Sequence, residues 1–324
     1  MIESAEWDLG TLAEAIRTRR VSCREVMSAC LDRVVGLRPS RGRVPTWPAP
    51  DQFIAQLGTA GPMARHARDC ALLLSVQAGH DWRDPLAMQG DGQPFAELAA
   101  RSDAEFAEGA RGLRIGWLGD LDGHLATEPG VLARCEAALR RLETIGCAVE
   151  PLPAAALGVA PEALWDCWAT LRTVAVAPQL FGYVQDPVRR AQMKPEAIWE
   201  AERGLAMSAP EIARASQTRT TFYQAWRRLF DRVDFLVLPA AQVFPFDVDE
   251  RWPADVGGRR MDTYHRWMEV VTYATLTGTP SICVPVPVGR GATVTREDLM
   301  GIQLIGAPGD DAGVLSLAAA YQAA

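Results

Sequence analysis

The chain has 324 residues, of which 48% are hydrophobic and 23% are charged, and its formal net charge is −7. This composition is typical of a globular protein and excludes a disordered chain, while the acidic excess argues against a nucleic-acid partner, which would need clustered Lys and Arg. Lys194 is the one lysine among 33 basic residues, so chemistry that needs a lysine has one candidate.

The first third of the sequence predicts helices separated by a long loop. Apolar residues at helical spacing over 8–35 predict two short helices. Prolines and glycines make 36–63 a loop or a short irregular strand. The apolar face of 66–79 predicts a helix, and the polar segment 80–112 that follows is interpreted as a connection.

The middle of the sequence predicts a strand–helix–strand unit. The apolar stretch 113–118 predicts a strand, 129–145 has the periodicity of an amphipathic helix, and Gly146 is a plausible stop for it. A second short strand follows at 147–151. Such a βαβ unit places its two strands parallel to each other.

The last half of the sequence alternates helical segments with apolar strands. Residues 161–231 are predicted to be mainly helical, with a proline-bounded break near 186–195. The remaining predictions are a buried strand at 235–239, a helix at 261–277, a strand at 281–288 near an edge or bulge, a strand at 301–305 and a closing helix at 311–321.

Cysteine usage and hydropathy predict a cytoplasmic protein without a membrane segment. The seven cysteines include no C-x-x-C pair, and their odd number does not suit a disulfide framework. The N-terminus is acidic and lacks the features of a signal peptide, and no run of about 18 apolar residues occurs.

A search for chemistry in the residues alone yields no catalytic site, metal site or cofactor motif. The glycines after strand 113–118 do not follow G-x-G-x-x-G spacing, and the four histidines show no paired metal-ligand spacing. Neither G-x-S-x-G nor S-x-x-K occurs. Lys194 is interpreted as an exposed residue at a helix start, and Ser281 as a structural serine at a strand start.

Three aromatic residues are the predicted substrate-binding residues. Tyr264 and Trp267 lie at helical spacing, a pattern that is more often core than pocket. Phe244 follows the strand that ends at Pro239, where loops of α/β proteins often line pockets. A pocket wall built from Phe244, Tyr264 and Trp267 is therefore the functional hypothesis that the residues allow.

Three stretches of the sequence resemble consecutive blocks of the amidase signature hydrolases. They are 35–45 (Val-Gly-Leu-Arg-Pro-Ser-Arg-Gly-Arg-Val-Pro), 61–74 continued by 78–85, and 278–285 continued by 301–306. Their order and spacing agree over essentially the whole chain. The resemblance implies one α/β domain over 1–324, with a mixed, mostly parallel central sheet flanked by helices. It also implies hydrolysis of small-molecule carboxylic amides without a cofactor.

The sequence departs from that family where the family's catalytic residues lie. The family uses a serine nucleophile, a second serine with a cis peptide bond and a lysine base, in segments resembling G-G-S-S-G-G and P-x-x-V-K-D. Neither segment occurs here, and the N-terminal helices of 1–34 run directly into 35–324, as if joined between Val34 and Val35. No catalytic residue can be carried over, and because the oxyanion loop is missing too, the resemblance implies an inactive chain.

Several interpretations remain open at this point. The chain is either an amidase-family remnant without turnover or a wrongly assembled fragment of an active amidase. Alternatively, it is a non-catalytic binding or partner subunit, whose copies associate through a sheet edge exposed by the missing strands. A third hypothesis is an active hydrolase in which Ser281 or Cys283 works with His265 or Lys194.

Overall fold

A seven-stranded mixed sheet forms the centre of the structure, a computed structural model that describes residues 34–49, 51–54, 56–288 and 295–324. Within it the strands lie in the order β2-β1-β8-β9-β5-β3-β4, and β6 and β7 form a separate hairpin. The strands are β1 (Val35–Arg38), β2 (Met63–Ala64), β3 (Arg114–Trp117), β4 (Ala148–Pro151), β5 (Phe235–Pro239), β6 (Asp255–Val256), β7 (Arg259–Arg260), β8 (Ser281–Pro285) and β9 (Gly301–Ile305).

Helices pack on both faces of the sheet. They are α1 (Ala67–Gln77), α2 (Gln93–Ala99), α3 (Asp103–Ala110), α4 (Val131–Thr144), α5 (Pro161–Val184), α6 (Pro187–Arg190), α7 (Pro195–Ala206), α8 (Ala209–Leu229), α9 (Thr272–Thr277) and α10 (Asp311–Ala323). None of the helices in the described part of the chain combines the length and the hydropathy that a membrane span requires.

The central strand β5 shows how the two faces become two cores. All five of its residues are buried. Phe235 and Val237 join the core beneath α1–α4 and α10, while Leu236 and Leu238 join the core beneath α5, α8 and α9. Successive side chains of a strand point to opposite faces, so a strand covered on both sides is apolar throughout.

The predicted α/β class with a mixed sheet is confirmed, but the prediction that most strands are parallel is wrong. Within the seven-stranded sheet, as far as the structure describes it, β3 pairs in parallel with β4 and with β5, and the other four pairings are antiparallel. Parallel neighbours need a long crossover connection. Helix α4 provides one between β3 and β4, and the helical segment α5–α8 lies between β4 and β5, whereas β8 and β9 are consecutive strands that pair antiparallel.

Most of the predicted elements are confirmed. The βαβ unit is present with its parallel pair, and Gly146 follows α4 at φ +95°, a left-handed conformation that stops the helix. Helices α1, α5, α7, α8 and α10 also match their predictions, while the short α6 lies within the predicted break near 186–195. The two helices predicted over 8–35 fall almost entirely on residues 8–33, which lie outside the described residues. The last predicted helical residue, Val35, is instead the first residue of β1.

Three predicted elements need correction. The connection 80–112 contains α2 and α3, and 261–277 divides into a 3₁₀ turn at Arg266–Val271 followed by the short α9. Strand β8 is not at an edge, because it lies between β1 and β9. Its proline, Pro285, is the last residue of the strand, so the ladder inside β8 is uninterrupted.

A buried carboxylate ties the segment after β1 to the last helix. Asp311, at the start of α10, has no exposed side-chain surface. Its Oδ1 accepts a hydrogen bond of 2.6 Å from the Ser40 backbone N–H, and its Oδ2 pairs with Arg43 Nε at 2.9 Å. This contact fixes the turn that carries the residues of the cavity described next.

Candidate functional site

A large cavity lies between the segment that follows β1 and helix α5. Its volume is about 770 Å³, a size that suits a small organic molecule. Residues 56–60 line its side, and Asp84 and Val271 also line it. A smaller cavity, about 400 Å³ between α3, β5 and α10, is lined mainly by apolar residues. Because convergent polar side chains distinguish a binding site from a packing defect, the larger cavity is the candidate site.

Three arginines from two distant parts of the sequence lie close together beside this cavity, and two of them, Arg38 and Arg41, line it. Arg38 ends β1 and donates from Nη2 to the Leu57 carbonyl at 3.1 Å. Arg41 donates from Nη1 to Gln56 Oε1, also at 3.1 Å. Arg219 on α8 lies close to them and donates from Nη2 to the Gln56 carbonyl at 3.3 Å. The loop around Gln56 therefore holds all three side chains.

The turn after α9 completes the support of these arginines. Arg219 Nε donates to the Leu276 carbonyl at 2.6 Å, and the Arg41 backbone N–H donates to the Gly278 carbonyl at 3.0 Å. Gly278 has a φ of +68°, and a Cβ built there would lie 3.2 Å from Arg41 Cβ. A glycine at this position thus allows the left-handed turn and the close packing of Arg41.

Burial and mutual repulsion disfavour the charge on these arginines. Burial, reinforced by the neighbouring charges of Arg41 and Arg219, lowers the pKa of Arg38 to about 10. Burial and the charge of Arg41 likewise lower the pKa of Arg219 to about 10. All three remain cationic at neutral pH, and none of them pairs with a carboxylate among the described residues. Nε of Arg38 is buried without an acceptor there.

The two carboxylates that line the cavity accept hydrogen bonds from nearby backbone N–H groups. Asp84 accepts hydrogen bonds from Thr46 N, Thr46 Oγ1 and Leu86 N. Burial opposes its ionisation, but these hydrogen bonds outweigh burial and lower the pKa of Asp84. Asp51 is exposed and accepts from the N–H groups of Phe53 and Ile54.

An ion network on α5 and α7 borders the cavity through Arg172. Arg172 Nε donates to His265 Nε2 at 3.0 Å and lies 3.5 Å from the buried carboxylate of Glu200. Glu200 also accepts from Thr173 Oγ1 at 3.2 Å. Since His265 Nε2 accepts this hydrogen bond, the imidazole is neutral in the folded protein. Burial, followed by the charges of Arg172 and Arg203, lowers the pKa of His265 to about 4.

The buried His265 should make folding stability depend on pH. An unfolded histidine titrates near the ordinary value of 6.5, so between pH 6.5 and about 4 the unfolded chain binds the extra proton. The free energy of unfolding should therefore fall as the pH drops through this window, by up to about 3 kcal/mol. Urea unfolding at several pH values should show a shallower pH dependence for His265→Gln.

His80→Gln is the control for this measurement, because His80 is exposed. Its pH profile should match that of the unchanged protein. If His265→Gln retained the full pH dependence, then the assignment of the proton to His265 would be wrong.

The three predicted substrate-binding aromatics do not line the larger cavity. Phe244 is buried, with 1% of its surface exposed, and belongs to the main core. Trp267 packs edge-on against Phe246 at 5.4 Å, and Tyr264 packs edge-on against His265 at 4.9 Å. The structure therefore places them in side-chain packing outside this cavity, and their role in binding stays a prediction.

A buried carboxylate holds the 3₁₀ turn on which Trp267 lies. Glu269 is within 2.7 Å of His124 Nε2, accepts from Tyr273 Oη at 3.1 Å and pairs with Arg266 Nε at 3.1 Å. Burial and the charge of Glu269 raise the pKa of Tyr273. The backbone of Met268 is non-helical within this turn, with φ −115° and ψ 19°, and this interrupts the predicted long helix.

The third hypothesis, an active hydrolase with relocated catalytic residues, is called the relocated-hydrolase hypothesis below. The structure places its four residues in different environments. Ser281 is buried at the start of β8, and burial raises the pKa of the Cys283 thiol to about 11, so it is not a thiolate at neutral pH. Lys194 is exposed immediately before α7. His265 accepts from Arg172. The free cysteines among the described residues are Cys70, Cys135, Cys147, Cys167 and Cys283.

Sequence reasoning missed the arginine cluster. The available signal was the density of arginines in 38–43, where Arg38, Arg41 and Arg43 fall within six positions. That density does not show which of these arginines is paired within the fold and which is available to a ligand. Arg43 pairs with Asp311, whereas Arg38 and Arg41 have no carboxylate partner among the described residues. Proximity to Arg219 is visible only in three dimensions.

The sheet order and the cavity define an α/β protein with a cavity of about 770 Å³ beside its central sheet. A sequence model of the family named Amidase matches residues 27–315. Because this match covers most of the chain, the protein belongs to the amidase family. Its residues 35–45 lie within the matched region, as the resemblance of that block to amidase signature hydrolases predicts.

Similar proteins agree with this family. The chain is 26% identical over 318 aligned residues to a glutamyl-tRNA(Gln) amidotransferase subunit of Burkholderia thailandensis, covering 90% of this chain and 61% of that one. A bacterial aryl acylamidase of the amidase signature family has the same fold at 23% identity, with a TM-score of 0.73 over 90% of this chain and 58% of that chain. The 6-aminohexanoate cyclic dimer hydrolase gives a TM-score of 0.70 at 21% identity, over 91% of this chain and 61% of that chain. The chain thus spans about three-fifths of the length of these relatives.

Proposed function

We propose that this chain is an amidase-family protein that binds small molecules and does not hydrolyse amides. The family reaction needs a nucleophile, a base and donors for the oxyanion. The sequence contains no stretch resembling G-G-S-S-G-G or V-K-D, so the segments that hold these groups in the family are absent.

The single lysine is the observation that carries this proposal. A lysine that accepts a proton at neutral pH must be desolvated or placed beside another cation, because its ordinary pKa is about 10.4. Lys194 is exposed and precedes Pro195 at the start of α7. It is not among the residues that line the cavity. Without a suitable base, neither a serine hydroxyl nor a water molecule is activated in the manner of the family.

The proposal predicts no amide turnover and no labelled serine. Incubation with aryl amides should release no arylamine above the rate of buffer, because both the triad and the oxyanion donors are missing. A fluorophosphonate probe should label no specific serine by mass spectrometry. Parallel assays of Lys194→Ala and Ser281→Ala test the two residues of the relocated-hydrolase hypothesis.

Clear turnover, or one specifically labelled serine, would contradict the proposal. If turnover were found and Ser281→Ala or Lys194→Ala abolished that turnover, the relocated-hydrolase hypothesis would replace this proposal. Sequencing the gene across codons 34 and 35 distinguishes a natural internal deletion from a wrongly assembled gene. A longer reading frame with the serine and lysine segments would make this chain a fragment of a working amidase.

A role as a partner subunit is the second candidate function. The similar protein from Burkholderia thailandensis is, by its name, one subunit of an amidotransferase. The outer strands of the sheet, β2 and β4, are where a second copy or another chain would pair. Sedimentation of the purified chain tests this idea, and a monodisperse monomer that retains no stoichiometric partner would contradict it.

A further inference from the structure

We infer that the larger cavity binds a small organic carboxylate, with its charged group held by Arg38 and Arg41 and its apolar body against Trp168. This inference rests on the proposed function and deepens it, because binding breaks no bond and needs none of the absent catalytic residues. It names the chemical class of ligand that the cavity is built to take.

The charge of the cavity is the first argument. Arg38 and Arg41 line it and Arg219 lies close to them, yet no carboxylate neutralises any of the three among the described residues. Arg172 also lines the cavity, but its side chain lies 3.5 Å from the carboxylate of Glu200. Asp84 and Asp51 line the same cavity, but their oxygens accept from backbone N–H groups. Cations gathered in a partly buried place destabilise one another unless an anion joins them.

The unused donors are the second argument. A guanidinium carries five N–H donors, and each described hydrogen bond of Arg38 and Arg41 at the cavity uses only one side-chain nitrogen. Nε of Arg38 is buried and has no acceptor among the described residues. Such a donor lowers stability until an acceptor reaches it. A carboxylate oxygen is a suitable acceptor, because it forms charge-assisted hydrogen bonds with guanidinium groups.

The apolar side chains that line the cavity indicate the rest of the ligand. They belong to Trp168 and Val174 of α5, together with Val271, Val44 and Leu57. An inorganic anion would leave that surface uncovered, whereas an organic acid would bury its hydrocarbon part there. The cavity volume of about 770 Å³ accommodates an aromatic acid.

Calorimetric titration of the whole chain with four matched compounds tests the inference. Phenylacetate supplies both the charge and the apolar body, phenylacetamide removes the charge, acetate removes the body, and inorganic phosphate replaces the carboxylate. Phenylacetate should bind most tightly. Phenylacetamide should bind on the order of 10- to 100-fold more weakly, as expected for the loss of hydrogen bonds to a charged group.

Variants of the two arginines assign the binding to this cavity. Arg38→Gln and Arg41→Gln should each weaken phenylacetate binding on the order of 10- to 100-fold. Their melting temperatures without ligand should be unchanged or higher, because each substitution removes one of the neighbouring positive charges. Arg232→Gln is the control, since its side chain is 65% exposed and lies 3.9 Å from Glu150.

Equal affinity for phenylacetate and phenylacetamide would overturn the inference, as would unchanged binding in both arginine variants. Phosphate binding as tight as phenylacetate binding would show a general anion site and refute the apolar subsite. The result is separable from the turnover test, because a chain that hydrolyses amides can still bind a carboxylate, and an inactive chain can fail to do so.

Discussion

Replacing Asp311 with alanine should lower the free energy of unfolding by about 3–5 kcal/mol, the range for removing one partner of a buried ion pair. Asp311 is fully buried and pairs with Arg43, whose side chain is only 15% exposed. The substitution leaves the Arg43 charge and the Ser40 N–H without their partner. Because these contacts span more than 260 residues, the loss should appear as lower global stability in urea unfolding followed by circular dichroism.

Two comparisons make this prediction specific. Asp311→Asn should lose less stability than the alanine variant, because the amide oxygen still accepts a hydrogen bond. Glu108→Ala should change stability by less than about 1 kcal/mol, since Glu108 and Arg111 form an exposed pair at 3.4 Å. If Asp311→Ala lost no more stability than Glu108→Ala, then the buried pair would not be what holds α10 to the turn after β1.

Replacing Trp226 with alanine should also cost about 3–5 kcal/mol of unfolding free energy. Trp226 lies on α8, has no exposed surface, and its ring centre is 5.3 Å from that of Phe222 and 6.4 Å from that of Phe230. Alanine would leave a cavity in the core between α8 and the sheet. Urea unfolding of the variant measures the loss.

Trp226→Phe and Trp199→Ala complete this experiment. Trp226→Phe should be less destabilising than alanine, because it keeps an aromatic ring and removes an indole N–H that has no acceptor among the described residues. Trp199 is 41% exposed on α7, so its replacement should cost less than about 1 kcal/mol. Equal losses for Trp226→Ala and Trp199→Ala would contradict the view that α8 is held to the sheet by this core.

Elements whose pattern is local were predictable. The amphipathic periodicity of α4, its glycine stop at Gly146 and the apolar strands on either side are all encoded within 113–151. Periodicity is decided by neighbours along the chain, so a window of about 15 residues contains the information. The long segment of α5–α8 was predictable for the same reason.

Elements that depend on distant partners were not predictable. The prolines of 281–288 suggested an edge strand, yet β8 lies between β1 and β9. The pairing of Gly36 with Cys283 joins strands almost 250 residues apart. Strand order arises from packing between such segments, and single-sequence patterns do not encode which neighbour a strand acquires.

The sequence by itself determined that the chain has a single lysine, that no stretch reads G-G-S-S-G-G or V-K-D, and that three blocks resemble a family, because each is a matter of residues in order. Only the tertiary structure decided which side chains share a site. Tyr264 and Trp267 have a spacing that suits either a core or a pocket, and the fold packs them against His265 and Phe246. Arg38, Arg41 and Arg219 look like ordinary surface arginines until the fold partly buries them together, because desolvation and repulsion depend on distance in space.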